Sequence, residues 1–180
     1  MLQVIKYFGV KALLLLMAAF FALGGLCYWA GIRINTTESI PLGVYWLTDR
    51  PVTPGDYVIF CPPERVVFNL ARDRGYISAG YCPGSYSHMM KRVEATGGDW
   101  VSVTPGAVYV NGKALVDSAQ KAVDLGGRSM PSYQLPREQL VKGQYLLMGE
   151  NPISFDARYF GLIDENQVNG VIRPIFTWSS

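Results

Sequence analysis

Ser39 and Lys91 are the two residues whose types could do chemistry together. Ser39 lies in the stretch Asn35-Thr36-Thr37-Glu38-Ser39-Ile40-Pro41-Leu42-Gly43-Val44-Tyr45. Pro41 fixes one backbone angle and Gly43 permits conformations closed to other residues, so a tight turn is expected just after Ser39. A strand-like run, Val44-Tyr45-Trp46-Leu47, follows it. A serine hydroxyl is a weak nucleophile until a base takes its proton. The sequence has one histidine, His88, and it reads as a surface or hydrogen-bonded loop residue rather than a triad member. An unprotonated lysine is an established alternative base for a serine, and Lys91 is the good candidate. Met89-Met90-Lys91-Arg92-Val93-Glu94-Ala95 reads as a strand, which puts Met89, Lys91 and Val93 on one face and Met90, Arg92 and Glu94 on the other. A free lysine, with a pKa near 10.4, is about 99.9% protonated at pH 7. Burial among apolar groups disfavours the ammonium and lowers that pKa by several units. A neutral Lys91 would accept the Ser39 proton during attack and return it to the leaving amine. The plainer reading of Lys91 is a solvated strand lysine.

The tetrahedral intermediate of such a reaction needs donors for its oxyanion. The Ser39 N–H is one. The Thr37 hydroxyl, two residues earlier, is a second, and a strand-start threonine is the alternative. Ser154 is expected to hydrogen-bond the Lys91 amine and orient it. Asp156 and Arg158 are two apart, so on an extended segment they share a face and pair. Each of these side chains, taken alone, also has a structural reading. One histidine and three scattered cysteines cannot supply the three or four converging ligands of a zinc site, so no metal and no cofactor are expected.

These residues need positioning elements. The chain has 180 residues, enough for one membrane anchor and one domain. Lys6 and Lys11 precede an uncharged run from Ala12 to Ile32, and Arg33 ends it. About 21 residues at ~1.5 Å each match the hydrocarbon thickness. Basic residues before the span place residues 1–11 in the cytoplasm, 12–32 in the membrane and 33–180, the domain that carries Ser39 and Lys91, on the periplasmic side. Ser39 then lies at most ~25 Å of extended chain from the anchor, at or just above the bilayer. A net charge of +2 with no basic stripe gives no sign of a nucleic-acid partner. Nineteen glycines and eleven prolines, with many Tyr, Val and Trp, favour short strands and turns over long helices.

Strands are expected at Tyr57–Phe60, Trp100–Val103, Gln144–Gly149 and Val168–Phe176. Asn111-Gly112 between two β-forming runs predicts a hairpin. Residues 64–88 read as an insertion with helical tendency near Glu64–Asp73, and 117–137 as a mobile loop or second insertion. Cys61 and Cys82 flank the first insertion. In an oxidising periplasm they could close it with one disulfide; otherwise they are two buried thiols.

Together these residues resemble a known family. Ser39-Ile40-Pro41, then Met90-Lys91-Arg92-Val93 with Gly98-Asp99 behind it, then Gly149-Glu150-Asn151 with Ser154, Asp156, Arg158 and Gly161, resemble the successive motifs of type I signal peptidases. The motifs keep their order over almost all of the chain beyond the anchor. Thr37-x-Ser39-x-Pro41-x-Gly43-x-Tyr45 is similar to the conjugative-transfer branch, the TraF-type peptidases. General leader peptidases usually have Met where Ile40 stands, and often two spans. The resemblance implies a mainly β fold of coiled antiparallel sheets, with Ser39 as nucleophile and Lys91 as general base. It implies a bacterial inner-membrane enzyme that matures a membrane-inserted propilin, in some systems with head-to-tail cyclisation, beside type IV secretion components. For Asp156 it implies either a direct part in activity or support of the site through Arg158. Two other readings stand beside it: a general signal peptidase with many exported substrates, and a non-catalytic, membrane-anchored scaffold.

Overall fold

The computed structural model describes residues 2–178; side chains of residues 2–8 and 12, Lys6 among them, lie outside the described residues. Helix α1 spans Leu2–Trp29. Within it Gly9–Trp29 has a mean hydropathy of 2.2, apolar and long enough to suit a single-pass membrane anchor. The helix ends three residues before the expected boundary at Ile32. Gly31 takes a positive φ of 91°, and Ile32 opens strand β1, Ile32–Asn35. Ile32 pairs with Trp46 in the sheet, a use of an apolar residue that composition does not separate from a membrane helix. Arg33 covers the exit of α1: its guanidinium lies 4.0 Å from the Tyr28 ring centroid and donates to the Tyr28 carbonyl at 2.8 Å.

Beyond the anchor the chain is mainly β. The further strands are β2 Gly43–Thr48, β3 Tyr57–Phe60, β4 Ala79–Cys82, β5 Met89–Ala95, β6 Trp100–Val103, β7 Val108–Val110, β8 Lys113–Ala114, β9 Leu135–Gln139, β10 Gln144–Met148, β11 Ile163–Asp164 and β12 Val168–Thr177. Seven form one antiparallel sheet in the order β1-β2-β12-β3-β5-β10-β11, and four form a second, β8-β7-β6-β9. Register breaks at Leu146/Leu147, Pro174/Phe176 and Val168/Gly170 mark bulges, which bend and twist the larger sheet. Its concave side closes on a core that includes Val58, Phe60, Val93, Leu146, Leu147 and Val171. The expected Asn111-Gly112 hairpin joins β7 to β8, with positive φ at both residues, the signature of a primed turn.

The first insertion holds helix α2, Val66–Asp73, whose Phe68 and Ala71 are buried. It is closed by a Cys61–Cys82 disulfide. The second departs from a mobile loop. Val123 bridges Ser129, Asp124 accepts from the Gly126 and Arg128 amides, and the segment ends in β9 against β6. The segment after Ser154 is not extended: Ala157–Phe160 form a short helix, α3, capped by the Asp156 side chain.

Candidate active site

Three segments meet at Ser39. The first is the loop between β1 and β2. Asn35, 3% exposed, folds it by an amide latch. Its Nδ2 donates to the carbonyls of Thr37, Ile40 and Pro41 at 2.8, 2.9 and 3.0 Å. Its Oδ1 accepts from the Thr37 N–H at 3.2 Å and the Thr37 hydroxyl at 3.0 Å. Ile40 is buried beside Tyr45, Ile59 and Ile172, and the Tyr45 hydroxyl donates to the Pro41 carbonyl at 2.6 Å. Ser39, half-buried, is left at the surface of this turn. Gly43 serves it by close approach: a Cβ there would lie 2.4 Å from the Phe176 carbonyl oxygen.

The second segment is β5. Its residues alternate buried and half-buried, so Met89, Lys91 and Val93 face inward as the sequence pattern predicts. Arg92 and Glu94 pair on the other face at 3.3 Å. Lys91 is 2% exposed, and its Nζ lies 2.6 Å from Ser39 Oγ and 2.8 Å from Ser154 Oγ. Burial lowers its pKa from the ordinary 10.5 to about 8; Asp156 opposes that shift and Arg158 adds to it. An amine with this pKa, in contact with a hydroxyl, can act as a proton acceptor near neutral pH.

The third segment is the turn after β10, with α3 behind it. Glu150 N–H donates to the Ser39 carbonyl at 2.7 Å. Ser154 Oγ stands 3.1 Å from Ser39 Oγ, which closes a triangle with Lys91. Asp156 and Arg158, 0% and 1% exposed, lie under this turn. They pair, as expected, but through the cap of α3 rather than across a strand. Arg158 Nε and Nη2 donate to Asp156 Oδ1 and Oδ2 at 2.8 and 2.7 Å. Asp156 Oδ2 also accepts the Gly149 N–H at 2.9 Å, and Arg158 reaches the Pro152 and Ser154 carbonyls at 2.8 and 3.2 Å.

Lys91 and Ser154 contact Ser39 directly, Asp156 and Arg158 hold the turn that carries Ser154, and Thr37 stands two residues from Ser39 in the same loop. The Thr37 hydroxyl proton is directed to Asn35. The Ser39 N–H has no acceptor among the described residues. His88 stands in the wall of a cavity beside the anchor and is not among the hydrogen-bond partners of Ser39. Among the described residues Cys61, Cys82 and His88 bring three potential metal donors within 4.8 Å, but the two sulfurs are bonded to each other. Two cavities flank Ser39. One, of about 900 Å³, borders α1 and Met89–Lys91; the other, of about 370 Å³, lies against residues 121–130.

A family model described as signal peptidase, peptidase S26, matches residues 2–178. The chain belongs to this family. It is therefore a hydrolase of the serine-peptidase type. Among its relatives in the peptidase S26 family, two Escherichia coli proteins named plasmid transfer protein TraF are 48% identical over 87% of this chain and 89% of their own, and 49% over 94% and 92%. A conjugal transfer protein TraF of Agrobacterium fabrum is 34% identical over 97% of this chain and 96% of its own.

The sequence reading includes Asn35, Tyr45 and Gly149 in its motifs but gives none of them a role. Asn35 carries a local signal, since Asx side chains often bond backbone a few residues on. For Gly149 the motif gives the position but not the reason: only the fold brings Ser154 to a place where a Cβ on residue 149 would lie 2.1 Å from its Oγ.

Proposed function

We propose that this chain is a membrane-anchored serine endopeptidase of a conjugative transfer system, with Ser39 as nucleophile and Lys91 as general base. The observation that carries the reading is the 2.6 Å contact between Ser39 Oγ and a buried lysine amine whose pKa is pushed down to about 8. At pH 7 about one such amine in ten is neutral. The neutral Nζ accepts the Ser39 proton as Oγ bonds to the substrate carbonyl carbon. The C–N bond then breaks, Lys91 returns the proton to the leaving amine, and the acyl group stays on Ser39 as an ester. Ser154, 2.8 Å from Nζ, accepts one amine hydrogen and so turns the lone pair towards Ser39. The Ser39 N–H is the first oxyanion donor. Thr37 becomes the second by releasing Asn35, which keeps the Thr37 N–H. Asp156 and Arg158 act as positioning residues, because both carboxylate oxygens are already engaged.

The substrate assigned is a membrane-inserted propilin, cut near its own membrane boundary. The names of the TraF relatives supply the transfer context. The acyl side of the substrate fits along β5. Met148 is the last β10 residue to pair with it, opposite Arg92, so among the described residues Met89–Lys91 keep one edge without a strand partner. Such an edge accepts an extended peptide. The larger cavity opens onto it and borders the anchor.

Intact-mass spectrometry of the candidate pilin, co-expressed with this chain or its Ser39→Ala variant, tests the reading. A product shortened only with the wild type is expected. An identical unprocessed mass with both would sink the assignment of substrate. A product one water lighter than the cleaved linear chain would show that the pilin's own amine, not water, releases the ester. Cleavage of a general exported precursor by the same preparation would favour a broad signal peptidase.

A further inference from the structure

The smaller cavity has no role in the mechanism above. It shares Ser39, Tyr76 and Phe155 with the larger one, and the rest of its lining, residues 121–130 among it, is separate. If the acyl side of a bound peptide runs along Met89–Lys91, the chain beyond the cut bond must leave Ser39 into this second space. We propose that the cavity is the subsite for the segment downstream of the cut, and that it takes a large apolar or aromatic side chain there. The inference rests on the peptidase reading.

The size, about 370 Å³, falls within the range of small-molecule sites. The lining is mostly apolar. Tyr76, Met130, Ile153, Phe155 and Tyr159 contribute to it. The rings of Phe155 and Tyr159 are parallel within 4°, with centroids 6.0 Å apart, and Tyr76 stands 5.6 Å from Phe155. Val123 and Leu125, 53% and 88% exposed, form the outer lip. Exposed aliphatic residues at a lip gain most from covering by another apolar group.

Charge argues for the same class of ligand. Asp124 is the acid nearest the lip, and its carboxylate is already consumed. It accepts from the Tyr76 hydroxyl and Arg128 Nε, both at 2.6 Å, and from the amides of Arg128 and Gly126 at 2.8 and 2.9 Å. That network holds its pKa far below the usual carboxylate range, with the Tyr76 bond the largest cause. It also spends the Arg128 charge. Arg74 ties the segment down from the other insertion by donating to the Ser129 carbonyl at 2.7 Å. The wall is thus a folded lip with its ionic groups paired internally. Glu38 and Lys121 add one anion and one cation to the lining, which select for neither sign.

The test uses the full chain carrying Ser39→Ala in detergent micelles. Tetrapeptides with free N-termini, identical except for Trp, Leu, Gly or Glu at the first or second residue, are titrated by calorimetry. The Trp or Leu peptides should bind about tenfold or more tighter than Gly or Glu at one of the two positions. Val123→Asp combined with Leu125→Asp should remove most of that preference. Equal Kd values across the series, or a preference that survives both substitutions, would overturn the subsite. Propilin cleavage by the wild type is scored separately by mass. Cleavage with a flat tetrapeptide series removes the subsite alone. Absence of propilin cleavage sinks the substrate assignment above, and the tetrapeptide series alone then decides the subsite.

Discussion

Two buried cations, joined through Ser154, have opposite fates in this fold. Lys91 sits on the inner face of β5 with hydroxyl neighbours, and Ser154 Oγ lies 2.8 Å from its amine. Arg158 sits in α3 and donates to the Ser154 carbonyl at 3.2 Å. Both are almost fully buried, at 2% and 1% exposure. Burial drives Lys91 down to about 8. Burial also works against the Arg158 charge, but the hydrogen bonds and charge of Asp156 more than offset it, and the guanidinium pKa is raised. Acceptors, not depth, decide whether a buried cation stays charged. The Asp156–Arg158 pair also acts on Lys91 with two opposed effects, the carboxylate raising its pKa and the guanidinium lowering it. Their partial cancellation leaves desolvation dominant. A structural ion pair can therefore stand beside a desolvated base without filling its need for a counter-charge.

The comparison breaks most visibly at Lys91. Lys91→Met should lower kcat/KM by roughly a thousandfold, the scale of a lost general base. The same change should leave the fold more stable. The folded pKa of Lys91 lies below its unfolded value, so the unfolded chain binds more protons between pH 8 and 10.5. Stability contributed by the neutral amine thus rises with pH through that window, and the cost of the buried ammonium is greatest below it. Met removes a cost of up to about 3 kcal/mol at pH 7. Urea unfolding of wild type and variant at pH 7 should show a gain of about 1–3 kcal/mol, and a loss would contradict the desolvated-lysine account.

Arg158→Met should do the reverse. It strands the Asp156 carboxylate at 0% exposure and removes donors from the Pro152 and Ser154 carbonyls. Removing one member of a buried pair costs about 3–5 kcal/mol. Thermal unfolding should register that loss, whereas an unchanged midpoint would mean that the pair is not holding the turn.

The pH profile sharpens the contrast further. Activity should climb about tenfold per pH unit below pH 8 and level above it, as Lys91 loses its proton. Asp156→Asn keeps the shape of the side chain but removes the charge that raises the Lys91 pKa, so the inflection should move to lower pH. An inflection that moves upward, in a variant whose circular dichroism matches the wild type, would reverse the electrostatic assignment.

Much of the base's environment was legible because strands have a two-residue period. Met89, Lys91 and Val93 announce their shared face whatever the rest of the chain does. The Asn111-Gly112 turn was equally local. The anchor's end was not, because Ile32 is apolar in either setting and only pairing with Trp46 assigns it to the sheet. Strand β9 stayed hidden for another reason. Leu135-Pro136-Arg137-Glu138-Gln139 buries only Leu135 and sits at a sheet edge, so no alternation marks it. Helix α3 is four residues long, too short for a period, and depends on the Asp156 cap. Thr37 was placed near the oxyanion by spacing alone, and spacing does not show that Asn35 already holds its hydroxyl.

Gly149 is where the two regions touch, and it offers the smallest and most discriminating test. Its N–H donates to Asp156 Oδ2 at 2.9 Å, while a Cβ on it would lie 2.1 Å from Ser154 Oγ and 2.3 Å from Ser154 Cβ. Gly149→Ala keeps the backbone bond to Asp156 but forces Ser154 away from Lys91. Overpacking of this kind costs about 1–3 kcal/mol. If the regions are separable, that cost should fall on activity: kcat should drop about tenfold to a hundredfold with a much smaller change in KM, and the thermal midpoint should move less than in Arg158→Met. Ser154→Gly placed in the Gly149→Ala background removes the clash without restoring the Lys91 contact. It should recover stability but not kcat. Recovery of both would mean that Ser154 only fills space, and that the amine needs no second hydroxyl to face Ser39.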